Sequence, residues 1–218
     1  MAILRSLVVA MALCVTASAL YASEQAETIP LPRPQTEGGK PLMEALKERQ
    51  SNRTFDTRML PDQTLSNLLW AAFGVNRPNG KRTAPSAMNW QEVSIYVFTA
   101  EGVFLYDAQA HALKTVVKKD LRALAGTQGF VKDAPVNLVY VADHAKMKTR
   151  SPVSDENKQM WAAADTGFIA QNVYLFCASE GLNTVVRGLI PRDRLRTRIN
   201  LRPEQKIILA QTIGYRKP

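Results

Sequence analysis

Apolar residues recur at helical spacing in several parts of this sequence. Leu42, Ala45 and Leu46 predict a short helix that begins after Pro41. A second helix is predicted to start at Pro61–Asp62 and to end at Gly74. Its apolar stripe consists of Leu65, Leu68, Leu69, Ala72 and Phe73.

The longest periodic segment runs from Asp155 to Glu180 and predicts a single long helix that ends at Gly181. Trp161, Phe168 and Leu175 lie near one stripe of it. Small residues would let another helix approach closely: Ala162, Ala163, Ala164, Gly167 and Ala170. We therefore expect a central helix that can also form a dimer interface.

Strand patterns lie between these helices. Val93–Phe98 and Val103–Tyr106, separated by Glu101-Gly102, predict two strands joined by a tight turn. Val136–Val141 is a continuous apolar run, which is typical of a central strand. A short helix is expected around Asp120–Leu124. The order of elements lacks a regular βαβ rhythm, so the fold class is α+β.

The C-terminal part continues this mixed pattern. It contains a segment from Thr184 to Ile190, a basic helix from Arg192 to Arg198 and a strand from Lys206 to Tyr215. Together with the central elements, these segments form one domain of the usual size.

The N-terminal residues predict export. Arg5 precedes an apolar run that begins at Leu7, and small residues up to Ala19 and Ala22 offer two cleavage points, so residues 1–22 are interpreted as a signal peptide. Its apolar run is too short to span a bilayer, and no stable membrane insertion is expected. Residues 23–40, rich in Pro and Gly, predict an extended arm, and residues 41–218 the folded domain. The expected location is the periplasm.

The charge and the rarer residues exclude several functions. The chain has a formal charge of +9, but its basic residues are scattered and no aromatic residues interleave with them, which argues against nucleic-acid binding. His111 and His144 are far apart without metal-ligand spacing, and both are predicted at the surface. Cys177 is expected in the core of the long helix rather than as a nucleophile.

Two segments carry candidate binding chemistry. In the first, Arg49, Ser51 and Arg53 occupy every second position, with Gln50 between the first two. In an extended chain these three side chains point to one face, and two guanidinium groups with a hydroxyl suit a phosphate. A solvated basic turn is the alternative. The second is Arg82–Gln91, which lies in the long loop 75–91. Its amides and hydroxyls suit a planar heterocycle. The alternative is that this segment begins a helix with Ser86 as the N-cap.

The order of several short motifs resembles the nitroreductase superfamily. They are Arg-x-Ser-x-Arg-x-Phe (49–55), Leu-Leu-Trp-Ala-Ala-Phe-Gly (68–74), Arg-Thr-Ala-Pro-Ser-Ala (82–87) with Asn89 and Gln91, Ala-Pro-Val (134–136), Ala-Ser-Glu-Gly-Leu-Asn-Thr (178–184) and Ile-Gly-Tyr (213–215). The 82–87 motif is most similar to the branch that contains the azoline dehydrogenases of thiazole and oxazole peptide maturation.

This resemblance implies an α+β sandwich, with a mostly antiparallel sheet flanked by helices, that forms a homodimer and holds FMN at the subunit interface. It assigns the phosphate and ribityl chain to Arg49, Gln50, Ser51 and Arg53, and the flavin ring to Pro85, Ser86, Ala87 and Asn89 of the other subunit. Backbone donors near flavin N5 would come from Val186, Arg187 and Gly188, and Gln128 would meet the polar edge of the ring. The family commonly has Pro after Gly-Tyr and a basic residue further on; here Arg216 or Lys217 would take that phosphate contact.

The resemblance further implies ping-pong electron or hydride transfer to a nitroaromatic, a quinone or a similar acceptor, with the chemistry supplied by the cofactor and no catalytic side chain required. Both the electron donor and the acceptor would be small molecules. NAD(P)H is scarce outside the cytoplasm, so a dehydrogenase of a small molecule or peptide is an alternative. A non-catalytic flavin-binding dimer and an electrostatic binder of anionic polymers are also compatible with these residues.

The phosphate assignment predicts that the double variant Arg49→Ala/Arg53→Ala purifies with sharply reduced FMN, because it loses two permanent cations. FMN released on denaturation, per mole of protein, is the measurement. Full retention of FMN by the double variant would contradict the assignment.

Overall fold

A computed structural model describes residues 27–217 of the 218-residue chain. The predicted signal peptide therefore lies outside the described residues, as do residues 23–26 of the predicted arm. The helices are α1 (Leu42–Glu48), α2 (Asp62–Phe73), α3 (Asp155–Ser179) and α4 (Arg192–Arg198). The strands are β1 (Thr28–Pro30), β2 (Val93–Phe98), β3 (Val103–Asp107), β4 (Ala112–Val117), β5 (Val136–Asp143), β6 (Leu182–Arg187) and β7 (Gln205–Tyr215).

The seven strands form one sheet in the order β1-β4-β3-β2-β5-β7-β6, and each neighbouring pair is antiparallel. Strand β5 lies between β2 and β7, and all of its residues are buried. This confirms the central strand that its continuous apolar run predicts.

Both faces of the sheet are covered. On one face, α2 and α3 bury Leu68, Phe73 and Ile169 against residues such as Leu138 and Tyr140 of β5. On the other face, α4 and short 3₁₀ turns form a second cluster. Its members include Phe98, Val131, Val139, Leu195 and Ile199. A sheet covered by helices on both faces confirms the predicted α+β sandwich.

Helix α3 has 25 residues and would be about 38 Å long at 1.5 Å per residue. Its buried face includes Ala162, Ile169 and Val173, whereas Phe168, on the stripe that the sequence suggests, is 49% exposed. Small and apolar residues occur on several sides of this helix, so periodicity alone does not identify the buried face.

Three strands were not predicted, namely β1, β4 and β6, the last of which begins just before the segment from Thr184 to Ile190. Strand β4 pairs with β3, and β1, inside the predicted arm, pairs with β4 at the edge of the sheet. Pairing at the sheet edge, rather than an apolar pattern of its own, stabilises so short a strand as β1. The expected helix around residues 120–124 is a single 3₁₀ turn, Arg122–Leu124.

The prediction that both histidines lie at the surface is wrong. The His111 ring is half-buried beneath the arm, where Nε2 lies 2.7 Å from Ser66 Oγ and 3.1 Å from the Pro32 carbonyl. His144 is buried beside the end of β5. Burial lowers the pKa of both rings. Cys177 is buried in α3 as predicted, and its burial raises the pKa of the thiol.

The packing of α2 against the sheet predicts a large effect of cavity formation. Leu69 is fully buried, so Leu69→Ala is expected to lower the free energy of unfolding by about 2–5 kcal/mol. The matched control Leu42→Ala, at a 63% exposed position of α1, is expected to change it by less than about 0.5 kcal/mol. Urea denaturation followed by circular dichroism measures both, and equal effects would contradict the packing.

Candidate functional site

The chain segment after α1 runs along the edge strand β6. The Asn52 N–H donates to the Thr184 carbonyl at 3.0 Å, and the Asn183 side chain donates to the Thr54 carbonyl at 2.8 Å. Phe55 is buried, which anchors the end of the segment. These bonds hold residues 49–55 in an extended form beside the end of the sheet.

Tyr174 of α3 connects this segment to β6. Its hydroxyl lies 2.7 Å from Ser51 Oγ and accepts a hydrogen bond from the Val186 N–H at 2.9 Å. The Arg49 guanidinium lies 5.4 Å from the centre of the Tyr174 ring. Three residues of the two predicted cofactor segments therefore meet at one side chain.

The sequence analysis does not single out Tyr174 as a residue of the site. The ring belongs to a helix whose spacing explains its burial, and nothing in the local sequence indicates that its hydroxyl reaches across to another strand. Only the placement of α3 against β6 brings Ser51 and Val186 to the same hydroxyl.

The predicted basic residues line two neighbouring cavities. One, of about 380 Å³, is lined by Arg49, Gln50, Tyr174 and Arg216. Another, of about 430 Å³, is lined by Arg53 and Lys217 together with Phe55 and Phe130. Arg49 is thus grouped with Arg216 rather than with Arg53, and the expected convergence of Arg49 and Arg53 on one cavity is not seen within one subunit.

The alternation of backbone groups along β6 determines which of them face outward. The Thr184 carbonyl and the Val186 N–H, two residues apart, both bond to groups outside the sheet. Gly188 directly follows the last residue of β6, and its carbonyl accepts a hydrogen bond from Arg192 Nη1 at 3.1 Å. A Cβ built on Gly188 would meet no atom within 4 Å, so there is open space at this position.

The side chain of Arg187 points into the protein instead. It is 5% exposed and donates to Thr212 Oγ1, Asn137 Oδ1 and the Ala125 carbonyl. Burial without a carboxylate among these partners lowers the pKa of Arg187 to about 10. Gly126 has no room for a side chain, because its Cβ would lie 1.9 Å from Arg187 Nη1.

Gln128 lies close to this buried arginine. Its Oε1 atom is buried and has no hydrogen-bond partner within the described residues. Buried acceptors are normally paired, so an unpaired one suggests that a ligand donates here. The adjacent Gly129 faces open space.

The loop that carries the other predicted ring contacts is strained. Met88, Asn89 and Gln91 have φ angles of 52°, 54° and 47°. Residues with side chains rarely adopt this left-handed region, and such strain clusters at functional sites. The predicted start of a helix after Ser86 is a single 3₁₀ turn, Ala87–Asn89.

Several hydrogen bonds hold the strained loop. The Gln91 N–H donates to Ser86 Oγ at 3.0 Å, and Arg82 Nε donates to Gln91 Oε1 at 2.9 Å. The Ala87 N–H donates to Asp165 Oδ2 of α3 at 2.8 Å. Pro85 and Asn89 are exposed, so the loop presents part of its surface to the outside of the subunit.

These features fit an FMN molecule. The cavity lined by Arg49 and Arg216 offers two guanidinium groups, the donors that a phosphate prefers. The unpaired Gln128 Oε1 offers an acceptor to an imide N–H, and the open space at Gly188 admits a flat ring. Within residues 27–217 there is no group of His, Cys, Asp and Glu that could hold a metal ion, and no helix there is long and apolar enough to cross a membrane.

Known proteins have similar sequences and folds. Residues 46–215 match the model of the Nitroreductase family. A proposed nitroreductase of Methanocaldococcus jannaschii is 31% identical over 165 residues, which cover 71% of this chain and 82% of the relative. The crystal structure of a proposed nitroreductase from Ralstonia eutropha JMP134 shares 41% identity with a TM-score of 0.82, covering 90% of this chain and 92% of the other.

Two further solved structures share the fold at lower identity. The Escherichia coli microcin synthetase McbBCD complex, bound to truncated pro-MccB17, gives a TM-score of 0.66 at 19% identity and covers 92% of this chain and 82% of the other. The NADPH:FMN oxidoreductase of Vibrio harveyi, complexed with NAD⁺, gives 0.59 at 22% identity and covers 81% and 69%. With its motifs, its fold and this family match, the chain belongs to the nitroreductase family of oxidoreductases.

Proposed function

We propose that this protein is an exported, homodimeric FMN-dependent oxidoreductase that takes electrons from one small-molecule donor and passes them to a nitroaromatic, a quinone or a similar acceptor. The observation that carries the proposal is the meeting of Arg49, Ser51 and Val186 at Tyr174, beside a cavity that Arg216 also lines. An NADPH:FMN oxidoreductase among the structural neighbours supports the choice of cofactor.

The roles of the residues follow from their chemistry. Arg49 and Arg216 would bind the phosphate, with Gln50 beside them, and Ser51 would be oriented by Tyr174. Arg53, in the adjacent cavity, would reach the same phosphate or ribityl chain from the other side.

The ring would meet a different set of groups. The Val186 N–H is engaged by Tyr174, so the Gly188 N–H is the candidate donor to flavin N5. Gln128 Oε1 would accept a hydrogen bond from the ring's polar edge. When bound, the flavin supplies the hydride and electron transfer, and the chain positions it and excludes water.

Two features of the structure favour a homodimer. Asp165, which holds the 85–91 loop, and Tyr174, which holds residues 49–51, are nine residues apart on α3, or about 14 Å along its axis. Helix α3 thus fixes the spacing of the two predicted halves of the site within one subunit. In addition, α3 leaves Met160 56% and Phe168 49% exposed beside the small residues of its outer face, which a second subunit would cover.

The central experiment uses the purified mature chain. We expect a yellow protein that shows the flavin absorbance bands, releases FMN on denaturation and sediments as a dimer. Anaerobic stopped-flow mixing with NADPH, or with candidate small-molecule donors, should bleach the flavin, and a quinone or nitroaromatic should restore its colour. A colourless monomer that does not bind added FMN would refute the proposal, and a flavin that no donor bleaches would reduce it to binding alone.

A second experiment tests the connection through Tyr174. Tyr174→Phe leaves Ser51 Oγ and the Val186 N–H without this partner, which is expected to weaken FMN binding by about tenfold, or about 1.4 kcal/mol. Fluorescence titration of the flavin-free protein with FMN measures the Kd.

Tyr106→Phe is the matched control for this experiment. It also removes a hydroxyl that is hydrogen-bonded, here to His111 Nδ1 at 3.0 Å, but on β3, four strands away from β6 in the sheet. The control should bind FMN like the wild type. Equal Kd values for Tyr174→Phe and the wild type would show that the Tyr174 hydroxyl does not contribute to FMN binding.

A further inference from the structure

Glu92 is a buried carboxyl group in an unusual environment. It lies between the strained loop and β2, it is 0% exposed, and neither carboxyl oxygen has a hydrogen-bond partner within the described residues. Its main-chain carbonyl accepts from the Asp143 N–H at 3.0 Å, which fixes its position against β5. A buried carboxylate without donors is costly, so the protonated form is favoured.

A second carboxyl group lies next to it. Asp165 of α3 is 3% exposed and lies close enough to Glu92 for its charge to act on that carboxyl group. Burial, reinforced by the negative charge of Asp165, raises the pKa of Glu92 to about 7. Two adjacent carboxyl groups in such a place hold one proton between them more readily than two negative charges.

Asp165 also holds the strained loop, because its Oδ2 atom accepts the Ala87 N–H at 2.8 Å. A left-handed conformation is unfavourable for a residue with a side chain, because its Cβ comes too close to the following carbonyl oxygen. The loop has three such residues, Met88, Asn89 and Gln91, so it needs this bond and those of Gln91 to keep its shape.

We propose that Glu92 and Asp165 form a proton-sharing carboxyl pair that positions the 85–91 loop against the flavin. The flavin part of this inference rests on the proposed function. With the proton on Glu92, Asp165 is the negative acceptor of the Ala87 N–H. When Glu92 loses the proton, the two carboxylates repel each other in a buried space, Asp165 is displaced and the loop is released.

Other charged groups surround the pair. Lys146 acts on Glu92 from the turn after β5 and donates to the Gln91 carbonyl at 3.1 Å, so its positive charge favours the ionised form of Glu92. The positive charges of Arg82 and Arg202 lower the pKa of Lys146, whereas the negative charge of Asp143 raises it. Asp143 also forms an ion pair with Arg202. Of these groups, Lys146 reduces the rise in the pKa of Glu92, which burial and the charge of Asp165 cause.

The direction of the pH effect follows from this rise. A carboxyl group with a pKa higher in the folded state than its ordinary value of 4.5 stabilises the protein fully below pH 4.5. This contribution is lost as the pH rises through about 7. The loop should therefore be held at low pH and released at high pH.

Trp90 lies in the 85–91 loop, so its fluorescence can report the conformation of the loop. The Trp90 ring lies 5.4 Å from that of Trp161, and its indole N–H donates to the Lys148 carbonyl at 3.0 Å. Intrinsic fluorescence of the flavin-free full-length mature chain, titrated from pH 5 to pH 9, should show a transition near pH 7. A Trp90→Phe variant should lose that signal, which identifies its source.

Three substitutions test the pair. Glu92→Gln removes the titrating group and should show no transition, with the low-pH signal retained throughout. Asp165→Asn keeps an oxygen for the Ala87 N–H and should behave in the same way, whereas Asp165→Ala should show the released signal at every pH. Glu101→Gln, at an exposed carboxyl group in the turn between β2 and β3, is the control and should titrate like the wild type.

A parallel measurement of FMN affinity separates this inference from the proposed function. The wild-type Kd should rise by about tenfold between pH 6 and pH 9, and that of Glu92→Gln should stay constant. A Glu92→Gln fluorescence titration like that of the wild type would overturn the carboxyl pair, whatever the FMN affinity. A pH-dependent fluorescence signal with a constant wild-type Kd would overturn the positioning of the loop against the flavin. If neither the wild type nor any variant binds FMN, the proposed function fails. The fluorescence titration then still tests whether Glu92 and Asp165 form the carboxyl pair.

Discussion

Helix α3 sets the distance between the two parts of the candidate site. Asp165 holds the strained loop and Tyr174 holds the segment after α1, and both are fixed to one helix that packs against the sheet. Because a helix is rigid over nine residues, these two parts are held about 14 Å apart along its axis within one subunit. The outer face of the same helix is partly apolar, so the surface that would join two subunits and the residues that shape the site belong to one element.

Two buried polar side chains of the candidate site lack hydrogen-bond partners within the described residues, whereas one buried polar network in the core is paired. In the core, the Tyr140 hydroxyl donates to Gln211 Oε1, and the Gln211 amide donates to Thr184 Oγ1, so this buried network is paired. Around the site, the Glu92 carboxyl and Gln128 Oε1 are buried without partners among residues 27–217. Stability alone would not keep unpaired groups, because each costs free energy. A proton on Glu92 would remove the cost of a buried charge, and a ligand bound at Gln128 would supply the missing hydrogen-bond donor.

Much of the fold was predictable because local patterns and tertiary packing agree. The boundaries of α4 match the basic segment Arg192–Arg198, and the apolar run that begins at Val136 is the central strand β5. The misses have one cause. Strand β1, the buried face of α3 and the burial of His111 are each decided by contacts with distant parts of the chain, which periodicity does not record.

The candidate site shows the same division. The sequence identified Arg49, Ser51 and the 85–91 loop, because their residue types suit a phosphate and a heterocycle and their order resembles a family. It did not identify Tyr174, whose hydroxyl bonds across to another element, nor Glu92, whose lack of partners exists only in the folded chain.

The family, most of the elements and the candidate groups for a flavin were thus predictable from the sequence, since these depend on neighbouring residues and their chemistry. The tertiary structure alone decided that Arg49 shares a cavity with Arg216 and that Glu92 lies beside Asp165. Such contacts arise when segments far apart in the chain are packed together, and burial then changes the charge states and the pairing of the groups that meet.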